Sequence, residues 1–343
     1  MSDVYIERFT GAAADWDGAV RRFPGWTHMH LHAWRSLIGE VFGHECPYFV
    51  ARDAGGAIVG VLPLVRVRSL LFGHYLVSMP FLNYGGPLGS PEAVRALADH
   101  AAALARRERV KLLELRSRTP LDVPLEPSTR KITMLLDLPT GEPEKLFKSF
   151  DAKLRSQIRK PQKEGVTVRF GADQVEPFFR VFSRHMRDLG TPTMPLRFFR
   201  AIEAHFPESA WFACAYLGEA PIAAGCAFRW EDEVEITWAS SLVAHKKVAP
   251  NMLLYWAMLE KATLEGARVF NFGRCTPGSG THRFKQQWGA RPEQLWWYGA
   301  ASESGATTPA PTDGAYSLGP RVWRHLPTPI ATALGPHIVR GIP

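Results

Sequence analysis

The residues best suited to chemistry lie between Val269 and Trp297, VFNFGRCTPGSGTHRFKQQWGARPEQLWW, where the chain changes character three times. Val269 to Phe272 alternates as a strand does. Gly273 to Gly280 is turn-rich and holds Arg274 and Cys275, and Thr281 is placed to cap a short helix carrying Arg283, Phe284, Lys285 and Trp288. Gly289 ends that helix and an aromatic strand, Leu295 to Tyr298, follows. This order holds the Lys285 ammonium on a brief helix between two strand ends, which is how a fold places one charge at a cleft. It equally describes an ordinary strand, turn and helix with a solvated lysine. Cys275 has no local histidine and acid to activate it, and Cys46, Cys214 and Cys226 lack paired metal-ligand spacing, so all four read as small buried residues.

Charge supplies a second candidate. The net charge is +8, and between Lys145 and Arg169 eight basic residues face two acidic ones, so most of the excess is one patch. On a helix, Arg155, Arg159 and Lys163 fall at i, i+4 and i+8, a stripe separate from the apolar one of Phe147, Phe150, Leu154 and Ile158. Like charges without interleaved acids destabilise a helix. We therefore read the stripe, with Lys153, as a site for an anion, and Pro161 as an early end to that helix. A further loop, Ser241 to Pro250, precedes a helix and contains no glycine. Backbone N–H groups there, with Asn251 as cap and Lys246 and Lys247 nearby, offer phosphate a landing place without a tight cradle. The alternating His28, His30 and His32 fall within a helical pattern, Trp26 to Phe42, which splays them apart, so no metal site is expected.

Phe272-Gly273-Arg274, the Gly278-Ser279-Gly280 turn and Phe284-Lys285-x-x-Trp288-Gly289 resemble the C-terminal motif of FemAB-like proteins, in particular the FemAB-related group associated with exosortase (PEP-CTERM) and exopolysaccharide loci. Phe81 to Pro87, Leu154 to Lys160, Leu189 to Pro192 and Pro327 to Pro336 follow in the expected order, so the resemblance spans nearly the whole chain. It implies an α/β (α+β) fold of tandem GNAT-like acyltransferase domains, each a mixed central sheet flanked by helices. It also implies transfer of an acyl or aminoacyl group to an amine of a cell-wall (peptidoglycan) or exopolysaccharide precursor. In the Fem ligases the motif lysine is thought to serve the charge that develops in transfer, and here Lys285 matches it. Arg274, His282, Phe284 and Trp238 are then expected to line the substrate cleft, with Asn83 and Tyr84 bounding it from the first half. No tightly bound cofactor is expected. The donor is aminoacyl-tRNA or acyl-CoA, and the acceptor a nucleotide- or lipid-linked glycan precursor; DNA is not an expected partner. Two alternatives stay open: an acyl-CoA-dependent N-acyltransferase on an amino sugar, and a non-catalytic anion- or nucleic-acid-binding module.

The elements that must position these residues read in the same sense. The 343 residues suffice for two domains, and 46% hydrophobic with 22% charged residues is a globular balance. No apolar run reaches the roughly 18 residues of a membrane span, and the N-terminus has no signal-like layout, so a cytoplasmic protein is expected. The periodicity predicts a hairpin of Pro47 to Arg52 and Ala57 to Val67, a helix from Pro91 to Arg109, and strands at Val110 to Arg116 and Lys131 to Leu138. After the basic helix it predicts helices Val175 to Leu189 and Leu196 to Phe206, strands Ala210 to Leu217, Pro221 to Trp230 and Glu233 to Ser240, helix Met252 to Glu265 and strand Arg268 to Phe272. Both halves repeat one order of helices and strands, which supports duplication independently of the motif. The expected domains are 1–140, 141–300 bearing the lysine motif, and 301–343. The last comprises a mobile linker over Ser302 to Gly314 and a tail that packs on the body or touches membrane. Pro327, Pro329 and Pro336 favour packing.

Overall fold

The computed structural model describes residues 4–69, 72–301 and 318–342; the expected linker, Ser302 to Gly314, lies outside them. The chain forms two compact units. Described residues up to Lys131, from Gln294 to Ala301 and from Arg340 onward make the first; those from Ile132 to Glu293 and from 318 to Val339 make the second.

The first unit runs β1 (Tyr5–Arg8), α1 (Ala13–Val20), α2 (Ala33–Phe42), β2 (Phe49–Arg52), β3 (Ile58–Leu62), β4 (Val65–Ser69), β5 (Gly73–Val77), β6 (Leu88–Gly89), α3 (Pro91–Arg107), β7 (Leu112–Ser117) and β8 (Glu126–Ser128). Its strands fall into two sheets, because the segment expected as one strand from Ala57 to Val67 breaks at Pro63-Leu64. A proline there removes a ladder donor, and the chain passes from the sheet β1-β2-β3-β6 to the sheet containing β4, β5 and β7. Helix α3 starts on Pro91 behind a Ser90 cap and buries Leu97, Ala98, Ala101 and Leu104 against Phe49, Leu62 and Leu113. The helix expected from Trp26 begins only at Ala33. Thr27 caps a three-residue 3-10 turn, His28–His30, and Leu31 is extended. His28 and His30 are consequently core residues: His30 Nδ1 accepts from Thr27 N–H at 3.0 Å, and its Nε2 lies 3.1 Å from the Gly86 carbonyl.

The second unit runs β9 (Ile132–Asp137), α4 (Pro143–Ser149), α5 (Ala152–Lys163), β10 (Val166–Phe170), α6 (Val175–Leu189), α7 (Leu196–His205), β11 (Ala210–Leu217), β12 (Ala220–Trp230), β13 (Glu233–Ser241), α8 (Pro250–Leu264), β14 (Val269–Cys275), α9 (Gly280–Gln286) and β15 (Arg291–Gln294). The chain then returns to the first unit as β16 (Trp296–Ala301), antiparallel to β7 and β8. That strand was expected with the segment before it; its pairing partners, and Arg116 stacked 4.5 Å over the Trp297 ring, hold it in the first unit instead. Helices α10 (Leu318–Trp323) and α11 (Thr328–Val339) pack on α6.

Seven strands form one sheet, β10-β11-β12-β13-β14-β9-β15. Alternation along β11 shows its two faces: Trp211, Ala213 and Ala215 join the core beneath α5 and α8, while Phe212 meets Phe178 of α6 edge-on, with centroids 5.3 Å apart. The basic segment folds as two helices rather than one. Phe150 is extended, and Asp151 caps α5 by accepting from Leu154 N–H at 2.6 Å. Nor does Pro161 end α5 early. The helix continues to Lys163, because in the last turn a proline forfeits one hydrogen bond while its ring is buried in the core.

The two units share a motif. In the first, β5 and β7 run parallel for three residue pairs, ending at Val77–Glu114, with β16 antiparallel beyond β7. In the second, β13 and β14 run parallel for three pairs, ending at Glu235–Asn271, with β9 antiparallel beyond β14. In the first unit the place where the strands part is filled. Ser78 Oγ accepts from Arg116 N–H at 2.8 Å, and the buried Arg116 guanidinium donates to Glu114 at 2.7 Å and to the carbonyl of Leu82 at 3.0 Å. Arg116→Met removes the guanidinium that pairs with the buried Glu114 carboxylate. It should cost about 3 kcal/mol or more in denaturant unfolding, and adding Glu114→Gln should recover part of that loss.

Candidate functional site

In the second unit the corresponding place holds no such plug. Two residues after Asn271, where the first unit has Arg116, stands Gly273, and the strand curls onto its own side chain: Gly273 N–H donates to Asn271 Oδ1 at 2.8 Å. Asn271 is buried and its other contacts are polar too. Its Oδ1 accepts from Thr133 Oγ1 at 2.5 Å, and its Nδ2 donates to Glu233 at 2.8 Å and to Glu235 at 3.2 Å. Glu235 is fully buried in the middle of a sheet.

Lys285 completes this cluster. Ser279, not the expected Thr281, caps α9 by accepting from His282 N–H at 3.1 Å; a cap two residues earlier gives the helix its first turn before His282. The helix then turns Lys285 inward, 3% exposed, so that Nζ donates to the carbonyls of Gly273 at 2.6 Å and Arg274 at 2.9 Å. Phe284 and Trp288 anchor the helix, with Trp288 among Phe150, Tyr255 and Phe272. Burial brings the Lys285 pKa down to about 8, Arg274 adding to the fall while Cys275 and Glu235 oppose it. The reading of a solvated lysine is therefore excluded.

On the facing strand, β13 carries a bulge. Cys226 pairs with Trp238 and Ala227 with Ile236, so Thr237 has no residue opposite it on β12. Its hydroxyl is out of reach of solvent and has no hydrogen-bond partner among the described residues. Two parallel strands that stop pairing, a buried carboxylate, a buried ammonium and an unpartnered hydroxyl thus lie within a few residues along β13, β14 and α9.

Other expected site residues fall differently. Arg274 is exposed and follows the kink directly. His282 Nδ1 accepts from Gly278 N–H at 3.1 Å and so helps to close the turn. Trp238 is part of the aromatic layer under α7, edge-on to Phe198 and Phe199 at 5.7 and 5.5 Å. Asn83 and Tyr84 belong to the first unit and are buried there, 7% and 1% exposed, with Tyr84 lining a small pocket of that unit. Asn251 is not a cap. Pro250 occupies the first turn of α8, and Ala249, at φ 57°, precedes it. Between β13 and α8 the chain forms a 3-10 turn, Val243–Val248, in which His245 N–H donates to the Leu242 carbonyl; the Ala249 N–H donates back to the Lys246 carbonyl. These donors are engaged within the loop, leaving the exposed Lys246 and Lys247 as its charges.

On α5, Arg155 Nη1 donates to the carbonyls of Phe150 at 2.5 Å and Lys148 at 3.1 Å, closing the end of α4, so one arm of its guanidinium is structural. Arg159 lies 5.1 Å over the Phe147 ring, and Lys153, Lys160 and Lys163 are exposed. An open cleft of about 470 Å³ is lined by Arg155, Arg159, Lys160 and Lys163 with Glu164 at its edge. Sequence reasoning missed Glu235, Asn271 and Thr133. The available signal was an acid inside the apolar alternation Val234 to Trp238.

Comparisons with known proteins agree with this fold. Residues 148–286 match the model of an acetyltransferase (GNAT) domain, a span that contains α5, Glu235, Asn271 and Lys285. The structure is similar to that of FemX, with a TM-score of 0.63 and 14% identity over 85% of this chain and 97% of that one. It is similar to L-PGS from Bacillus licheniformis, with a TM-score of 0.56 and 10% identity over 92% and 98%. It is also similar to a tandem GNAT protein from the clavulanic acid biosynthesis pathway, with a TM-score of 0.51 and 15% identity over 89% and 100%. At such identities the likeness is one of fold, a tandem GNAT arrangement. A search of curated proteins finds no match. No helix among the described residues is long and apolar enough to cross a membrane.

The buried ammonium makes stability depend on pH. The pKa of Lys285 is lowered from 10.5 to about 8. Between those values the unfolded chain binds the extra proton, so this residue's contribution to stability is flat below pH 8 and rises from about 8 to 10.5. The stability difference between wild type and Lys285→Met should therefore grow in favour of wild type across that window, measured by chemical denaturation at each pH.

Proposed function

We propose that this chain is an acyl- or aminoacyltransferase acting on an amine of a cell-wall or exopolysaccharide precursor, with its chemistry in the second unit. The observation that carries the reading is the Glu235–Asn271–Lys285 cluster where β13 and β14 part. Transfer of an acyl group from an ester or thioester to an amine needs three things: a neutral amine, close approach, and stabilisation of the oxygen that becomes negative. Glu235, oriented by the Asn271 amide, takes the proton from the attacking ammonium. Lys285 spends two N–H groups on the carbonyls of Gly273 and Arg274 and directs the third to the developing oxyanion. Collapse of the tetrahedral adduct expels the donor's alkoxide or thiolate, which takes up the proton that the adduct nitrogen gives up as the amide forms. The Thr237 hydroxyl gives the donor carbonyl or the amine a hydrogen-bond partner in the same gap.

An aminoacyl donor of the Fem type is favoured by the loop before α8, where the His245 and Ala249 N–H groups donate to carbonyls of the loop itself. The basic face of α5 then takes the phosphates of the donor or of the nucleotide- or lipid-linked acceptor. A second reading, acyl-CoA-dependent acylation of an amino sugar, is supported by the match to an acetyltransferase domain.

Glu235→Gln keeps the hydrogen bond from Asn271 and removes the base, so transfer should fall about 10²-fold or more with little change in substrate binding. Lys285→Ala should cost a similar factor, and the wild-type rate should decline above about pH 8 as the ammonium is lost. Retention of half the activity in either variant would sink the assigned role.

Direct binding separates the donors: acetyl-CoA, a charged tRNA pool and the same pool deacylated, each across a salt series. A preference for charged tRNA supports the aminoacyl reading, and tight acetyl-CoA binding with charge-insensitive tRNA binding supports the second. Binding of neither points to a non-catalytic module. Replacing Arg159, Lys160 and Lys163 by Ala should lower the slope of log K against log salt by about 2 for a nucleic-acid ligand; an unchanged slope returns the stripe to a solvated face.

A further inference from the structure

The C-terminal helices carry their apolar side chains outward. Helix α11 meets α6 and its following loop through Ala331 and Gly335, one turn apart and both buried. At Gly335 the approach is so close that a Cβ would lie 2.8 Å from the Thr193 backbone nitrogen. With the small residues inside, the large ones face water: Ile330 and Leu334 are each 47% exposed, joined by Val322 of α10 at 64% and Leu189 at the end of α6 at 49%. Four of the seven exposed large apolar side chains among the described residues are on these three helices, whereas an ordinary surface helix turns such residues inward.

The charge around this face has one sign. From Leu318 to Pro343 the sequence has no Asp or Glu, three Arg and two His. Arg321 and Arg324 are exposed, and Arg324 ties α10 to α6 through the Leu189 carbonyl at 3.3 Å. The neighbouring acid, Asp188, is already paired with Arg187 at 3.0 Å. The exposed positions of α11 are Pro329, Ile330, Ala333, Leu334 and His337, which offer almost nothing to specify a protein partner by hydrogen bonding.

We infer that this face of the second unit rests on an anionic lipid surface, with Val322, Ile330 and Leu334 entering the boundary between headgroups and acyl chains and Arg321 and Arg324 meeting headgroup phosphates. Such docking would be peripheral, and it does not depend on which group is transferred.

Co-sedimentation of the full chain with phosphatidylcholine vesicles, with and without about a third phosphatidylglycerol, tests it. Binding should appear with the anionic vesicles. Ile330→Ser with Leu334→Ser should lower it about tenfold or more while leaving the melting temperature unchanged, since both side chains are solvent-facing. Absence of binding to anionic vesicles overturns the inference. So does binding that survives the serine pair but disappears with Lys160→Ala and Lys163→Ala, which would mean adsorption through α5. Self-association abolished by the serine pair, without vesicle binding, would make a second copy of the chain the occupant instead.

Discussion

Two parallel strands that pair for three residues and then separate leave backbone donors and acceptors with nothing across from them, and a folded unit must satisfy those groups from elsewhere. Each unit meets this constraint at the same point of the same motif. In the first, Ser78 bridges to the Arg116 N–H and the guanidinium fills the gap, held by Glu114 and backbone carbonyls. In the second, the Asn271 amide takes the Gly273 N–H and the Lys285 ammonium takes the next two carbonyls, reaching in from a separate helix. The first solution is a plug. The second sets a buried carboxylate, a hydroxyl without a hydrogen-bond partner among the described residues and an ammonium together along the parting strands.

This difference gives the phenylalanine-lysine motif a structural meaning. Burying an ammonium is costly unless its protons are taken up, and two carbonyls turned by the β14 kink accept them. The aromatic residues flanking Lys285 hold α9 against α8 and the sheet, so the charge cannot swing into water. Fold and electrostatics use the same residue here: the carbonyls of the kink hold Lys285 in place, and its burial lowers its pKa.

Charge elsewhere on the chain divides by burial and by neighbours. Of the stripe on α5, Arg155 is half committed to closing α4 and Arg159 lies on a phenyl ring, while Lys160 and Lys163 are exposed. The C-terminal helices carry fewer charges but no acids, beside apolar side chains that are exposed among the described residues. The chain thus presents two basic surfaces of different character, one dense in charge along α5 and one in which few charges flank exposed apolar side chains.

The sequence by itself determined the strongly periodic elements. Val175–Leu189 and Ala210–Leu217 are observed where the pattern places them, because amphipathic spacing is a local property that burial only reinforces. It also determined that Lys285 sits on a short helix between two strands. Tertiary structure decided what local spacing does not encode: that Pro63 ends one sheet and begins another, and that Asp151 divides the basic helix. It also decided that Trp296–Ala301 crosses to the first unit, where its partner strand lies far away in sequence. The site followed the same division. Lys285 was singled out through the resemblance of Phe284, Trp288 and Gly289 around it to a known motif, whereas Glu235 and Asn271 become a pair only when two strands some thirty-six residues apart run side by side. Burial then converts them from surface-like polar residues into groups that must be satisfied by one another or by a ligand.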